Sequence, residues 1–261
     1  MALTKVINNA LGFPLALSGN RTYIATNTFM GKSAGNNTDT APDGGTWDTV
    51  YTTHTLNGST KYCIIQLFGG GGQGARTHNP HFGGAGGGSG AYVKFLLDVT
   101  DSNFASDNGN DTTLNFILGD GVRSTTGISD GEDTKFEVST TTIITAGGGS
   151  GGSSLTGGSG GSVSWTDKSY TYKIMLLSGL TGENGLGNSG SSTNRKPGVG
   201  APNPLGFGGS AMEGVLLASD RDGLDATGFG GGGGGGMRAG GGSELNGGSG
   251  YNGAIIIEEY A

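Results

Sequence analysis

The sequence predicts an all-β protein: a β-sandwich-like scaffold interleaved with packed polyglycine-II-type helices. Three observations lead there. Short runs of β-branched and aromatic residues, each bounded by Gly or Asp, recur from end to end of the 261 residues. No segment keeps a 3.6-residue apolar period with helix start and stop signals. And the 59 glycines are gathered in blocks between the apolar runs.

Residues 1–45 carry one isolated glycine at a time and are rich in Asn and Thr, with Phe13, Leu15 and Leu17 alternating and a mixed run from Tyr23 to Met30. They read as an attachment or oligomerisation segment joined at Pro42–Gly45, or as extra strands of the domain that follows. Residues 46–261 read as that domain. Strands are expected at 61–68, 91–99, 113–118, 134–138, 141–145, 170–177, 213–218 and 254–260. In 134–138, Phe136 and Val138 alternate with Lys135 and Glu137, as on a half-buried strand.

The glycine blocks lie at 69–74, 83–90, 147–161, 206–209, 230–236, 240–242 and 247–253. One has a readable period. Ser150, Ser153, Thr156, Ser159 and Ser162 fall at every third position, with Gly pairs between them except at Ser154 and Leu155. Asn246, Ser249 and Asn252 repeat the pattern briefly. A period of three belongs to neither α-helix nor strand but to the polyproline-II type of helix, which has three residues per turn and no internal hydrogen bonds. Its backbone groups need partners elsewhere. With two of three side-chain rows empty, neighbouring segments can approach and bond laterally.

Composition excludes several classes. Gly and Pro, 59 and 6 residues, make up a quarter of the chain, a level that often signals disorder. Ten Phe, eight Tyr and two Trp, with recurring apolar runs, argue for a buried core instead. A net charge of −7 with only 14 Lys plus Arg excludes a sequence-independent grip on nucleic acid. The one cysteine, Cys63, sits in an apolar run, where it acts as a small core residue. No apolar stretch approaches the ~18 residues of a membrane span. Residues 10–17 after Lys5 faintly imitate a leader, but Pro14 interrupts them.

Motifs of catalysis are formal only. Gly148–Gly152 and Gly157–Gly161 match G-x-S-x-G, but each Ser belongs to the three-residue repeat and lacks the strand–turn–helix context of a nucleophile elbow. Gly31-Lys32-Ser33 resembles the end of a P-loop, but Thr26 stands where the first Gly belongs. His78-Asn79-Pro80-His81 offers two imidazoles and His54 is the only other histidine, short of the three or four ligands of a zinc site, so no metal is expected within one chain. Asp130-Gly131-Glu132-Asp133 and Asp107–Asp111 read as turns before they read as Ca²⁺ ligands. No cofactor site is read, and no carboxylate pair suggests a glycosidase.

Recognition is best sought in irregular segments on a rigid scaffold. Two stand out: residues 75–82, with Arg76, His78, Asn79, His81 and Phe82, and residues 183–205, with Asn194-Arg195-Lys196-Pro197. Their cationic donors suit acidic sugars or phosphates.

The order of these blocks resembles the glycine-rich domains of bacteriophage tail-fibre and tail-tip proteins. A strand runs straight into poly-Gly at Lys61–Gly72, and Gly86–Gly90 leads to the aromatic strand Ala91–Val99. Leu114–Gly121 and the step Thr145–Gly149 follow, and Gly247–Gly253 with Ala254–Ile257 closes the domain. The resemblance covers roughly residues 46–261. The chain is also similar in principle to T-even-like phage adhesins, whose packed polyglycine helices are capped by variable loops. The resemblance implies a virion protein at a tail fibre or tip, often trimeric, that is non-enzymatic. Its loops would bind host surface polysaccharide, lipopolysaccharide or an outer-membrane protein, while residues 1–45 attach it to other virion proteins. The alternative is a purely structural virion protein (head fibre, capsid decoration or tail joint) without receptor binding.

Overall fold

A computed structural model describes residues 22–30, 50–77, 83–122, 128–188, 191–210, 222–237 and 245–261, without the side chains of 50, 188 and 191–195. In chain order the strands are β1 (Tyr23–Met30), β2 (Val50–Thr55), β3 (Tyr62–Phe68), β4 (Tyr92–Asp98), β5 (Thr113–Leu118), β6 (Thr134–Val138) and β7 (Thr141–Ala146). There follow β8 (Val163–Trp165), β9 (Thr171–Leu177), β10 (Leu186–Asn188), β11 (Ser191–Lys196), β12 (Gly206–Phe207), β13 (Thr227–Gly228) and β14 (Ala254–Tyr260). The one helix among the described residues, α1, spans Ser102–Asp107. The protein is therefore all-β.

Ten strands form two five-stranded antiparallel sheets, ordered β1-β14-β3-β4-β9 and β2-β5-β6-β7-β8. Their facing residues make one apolar core: Ile65, Leu67, Phe95, Leu97 and Ile257 from the first sheet meet Leu114, Phe116, Phe136, Val138 and Ile144 from the second. Phe136 stacks on both Phe95 and Phe116, at 5.5 and 5.2 Å between ring centroids. Cys63 is fully buried in this core, and burial together with the nearby Glu259 charge pushes its thiol pKa up.

The seven apolar runs expected between 61 and 177 and at 254–260 are β3, β4, β5, β6, β7, β9 and β14; the run 213–218 lies outside the described residues. Within residues 1–45, Tyr23–Met30 forms the outer strand of the first sheet, paired antiparallel with β14. β2 was not expected because its sequence, Val-Tyr-Thr-Thr-His-Thr, carries no apolar alternation. It is an edge strand held by β5 on one side only. α1 is too short to show a period. Asp101 caps it by accepting from the Asn103 amide, and Phe104 packs edge-on against the buried Tyr170.

The glycine blocks extend the strands beyond the sheets. Segment 69–77 continues β3 and segment 83–91 leads into β4. Phe68 pairs with Tyr92 in the sheet, and the same register then carries on as Gly69 N–H to Ala91 O, Gly72 to Gly88 and Ala75 to Ala85. Bonds once made along a ladder are now made at every third residue. The β14–β3 register continues likewise through Gly71 to Tyr251, Gly74 to Gly248 and Thr77 to Leu245. The β4–β9 register continues through Ser89 to Leu180, Gly86 to Glu183 and Gly83 to Leu186.

The skipped residues bond to other layers. In 83–91, Gly84, Gly87 and Gly90 donate to Gly236, Gly233 and Gly230, while Gly88 and Ala91 donate to Ser150 and Gly147. Its carbonyls accept in turn from Gly158, Gly161, Gly198 and Ala201. Segment 83–91 is thus bonded on all sides: to two segments of its own layer, two that extend the second sheet, and two from 198–201 and 230–236 on the opposite face.

This packing, and not unusual dihedral angles, explains the glycines. Among the described ones only Gly109, Gly228 and Gly230 have φ in the left-handed region. A Cβ on Gly87 would instead fall within 3 Å of the Gly72 carbonyl, and one on Gly247 within 3 Å of Gly74. In the serine repeat, Ser153, Thr156, Ser159 and Ser162 face solvent and Ser150 is half-buried, while Gly149, Gly152, Gly158 and Gly161 are buried. It is two antiparallel segments, however. The chain reverses at Ser154-Leu155, the one place where the Gly pair is interrupted, and Ser154 has φ +44°.

Where a segment lacks a neighbour, aspartates spaced by three take its place. Asp130 accepts from Gly151 N–H at 2.7 Å and Asp133 from Gly148 at 3.1 Å. Asp222 accepts from Asn246 at 2.9 Å and Asp225 from Ser249 at 2.6 Å. Residues 130–133 are therefore a segment of the array and not the turn expected of them. Replacing Asp133 by Ala removes the acceptor for Gly148 and should cost about 1 kcal/mol in a urea titration, whereas Asp133→Asn keeps a carbonyl acceptor and should cost less. Equal stability of the Ala variant would show that the cap contributes nothing.

Candidate functional site

The extensions carry the chain to one end of the molecule. Thr77, Gly83, Leu186 and Leu245 lie nine residues from the strand ends Phe68, Tyr92, Leu177 and Ala254. They are brought together there by the bonds of Thr77 to Leu245 and of Gly83 to Leu186, and by the bridge between Gly83 and Met237.

The two recognition segments read from the sequence arrive at this end on either side of segment 83–91, which bonds to both. Arg76 is half-buried on the last turn of 69–77. Lys196 ends β11, with its backbone against Gly83 of segment 83–91, the segment that separates it from 69–77. Residues 183–205, read as irregular, contain the short hairpin β10–β11, in which Leu186 pairs with Lys196 and Asn188 with Ser191. Its polar sequence offers no apolar alternation from which to infer strands. Asn194 and Arg195 lie on β11, but their side chains, like all of His78, Asn79, His81 and Phe82, fall outside the described residues. The Lys196 ammonium lies 3.4 Å from the Glu183 carboxylate with both half-exposed, a geometry that leaves the cation open to an anionic ligand because exposed pairs contribute little.

A second cluster of ionisable groups lies between the sheets. The buried Glu259 carboxylate on β14 accepts from His54 Nε2 of β2 at 2.8 Å, from the Asn57 amide at 2.9 Å, and from the Thr60 hydroxyl. Burial alone would raise its pKa; the bonds from Thr60, the Asn57 amide and His54 outweigh this and hold it below the ordinary carboxylate value. Phe29 covers the imidazole edge-on at 6.0 Å. With these bonds made, the cluster ties the two sheets and the 56–60 turn together. Among the described residues no group of three or more His, Cys, Asp or Glu side chains is placed to hold a metal ion.

One surface pocket, of about 240 Å³, lies where β9 passes into the array, between Tyr92, Leu177, Leu180, Pro202 and Pro204. It is mostly apolar, with Ser89, Ser178 and Asn203 on its wall. The sequence signal that points to this place is Leu177, Leu180 and Leu186, all in step with a period of three.

Comparison with known proteins adds no relative: no family model matches the chain, and no curated protein matches it. None of the described helices is long and apolar enough to cross a membrane.

Proposed function

We propose that the chain is a bacteriophage virion protein of a tail fibre or tail tip that binds the host cell surface, without enzymatic activity. On this reading the glycine-rich segments are packed polyglycine-II-type helices that act as a rigid spacer. Hydrogen bonding in steps of three, with each third residue turned to the same neighbour, supports that assignment. Nine residues at about 3.1 Å each hold the binding end about 28 Å from the sandwich.

The observation that carries the reading is the convergence of segments 75–77 and 183–196, with Arg76 and Lys196, at the end of this spacer. Loops fixed on a rigid scaffold are where binding residues concentrate. The ligand is an anionic feature of the bacterial surface, an acidic polysaccharide, lipopolysaccharide phosphate or outer-membrane protein, engaged by Arg76, His78, Asn79, His81, Phe82, Asn194, Arg195 and Lys196. Residues 1–45 join other virion proteins, and the protein works as a homo-oligomer, a trimer by the resemblance described above.

Adsorption of the recombinant protein to susceptible bacteria tests this. The paired change Arg76→Ala and Lys196→Ala should weaken adsorption about tenfold or more, the loss expected for charge-assisted contacts. Failure of the unaltered protein to bind or protect any susceptible strain would favour a structural virion role.

A further inference from the structure

The array has capped edges and, along segment 178–186, an open one among the described residues. Asp130, Asp133, Asp222 and Asp225 close two outward rows of N–H groups. Segment 178–186 has no such cap. It is the outermost member of its layer, as β9 is the outermost strand of its sheet, and the two form one continuous border. Gly179, Gly182 and Gly185 face inward and donate to Gly161, Gly158 and Leu155. On the outward side, the amides of Ser178, Thr181 and Asn184, again spaced by three, have no hydrogen-bond partner among the described residues.

The same border is apolar. Met175, Leu176 and Leu177 on β9 are 46%, 37% and 41% exposed, and Leu180 and Leu186 are 57% and 55% exposed. With three residues per turn, Leu177, Leu180 and Leu186 fall on one row. Glu183 occupies the remaining position of that row, 3.4 Å from Lys196. The 240 Å³ pocket opens between Leu177 and Leu180 and is large enough for one apolar side chain.

We propose that this border, β9 together with segment 178–186, is the surface on which a second copy of this chain docks. Met175 and Leu177, on one face of β9, together with Leu180 and Leu186 expose a few hundred Å² of apolar surface, the size of the largest patch on a typical monomer, which is often functional. That is close to the apolar share of the roughly 800 Å² each partner contributes to a stable interface. The uncapped amides supply donors for backbone or side-chain acceptors of the second copy, and the pocket supplies an anchor point. The assignment rests on the oligomeric part of the function proposed above and is independent of adhesion.

Sedimentation of the purified protein, with no host cells present, tests it. The unaltered chain should associate, and the double variant Leu180→Asp/Leu186→Asp should associate at least about a hundredfold more weakly, with the same near-ultraviolet circular dichroism. Leu224→Asp, an exposed change off this border, should leave association intact. Hydrogen exchange on the unaltered chain gives a variant-free reading: protection of the Ser178, Thr181 and Asn184 amides should rise with protein concentration. A monomer at all concentrations, or a double variant that associates as tightly as the original, would overturn the proposal.

Discussion

Gly87→Ala is expected to destabilise the fold severely. Gly87 sits in the middle of segment 83–91, donating to Gly233 and accepting from Ala201. Its added methyl would fall within 3 Å of the Gly72 carbonyl and of Gln73 O. Those are backbone atoms, bonded in turn to Gly233 and Gly152, so they cannot rotate away as a side chain would. Overpacking in an ordinary core costs about 1–3 kcal/mol because neighbours repack. Here relief requires two segments to separate, which also breaks lateral hydrogen bonds. A loss of at least about 4 kcal/mol follows, a large part of the 5–15 kcal/mol that stabilises a domain. The matched control is Gly58→Ala, where nothing lies within 4 Å of the new methyl. It should change stability by no more than about 0.5 kcal/mol. Chemical denaturation of both proteins decides: a Gly87→Ala variant within about 1 kcal/mol of the original would mean that close packing is not why glycine is required.

The second large effect is expected at Glu259. Changing it to Ala leaves His54, the Asn57 amide and Thr60 facing a buried, unoccupied acceptor site. Removing one partner of such a buried charged cluster costs about 3–5 kcal/mol. The pH dependence has a definite sign. The folded carboxyl is held below its unfolded value of 4.5, so its stabilising contribution is complete above that value. The contribution is lost as pH falls through the folded pKa. The original protein should therefore weaken in acid below about pH 4.5, and Glu259→Ala, already lacking the group, should show a flatter profile in that range. Parallel pH profiles of the two proteins would exclude Glu259 as a source of acid lability.

Much of the sandwich was legible in the residues. Apolar runs such as Tyr62–Phe68 and Ala254–Tyr260 reveal themselves because burial on a sheet requires β-branched and aromatic side chains. β2 and the hairpin β10–β11 did not, since they lie at edges and carry polar side chains with no period to detect. The candidate site was legible as two segments and not as one place: nothing in the residues around Arg76 says that those around Lys196 reach the same end of the molecule.

The amino-acid sequence by itself determined where the apolar strands run, that two of every three positions in the serine repeat lack Cβ, and that Ser154-Leu155 interrupts the repeat. Which segment bonds to which was decided only by the tertiary structure. One glycine segment is chemically the same as another, so its lateral hydrogen bonds carry no address. The address comes from the strands: Phe68 opposite Tyr92 fixes Gly72 opposite Gly88, and Phe68 opposite Ala254 fixes Gly74 opposite Gly248. The apolar core sets that register, and the array transmits it to the far end, where the segments that carry Arg76 and Lys196 both bond to segment 83–91 between them.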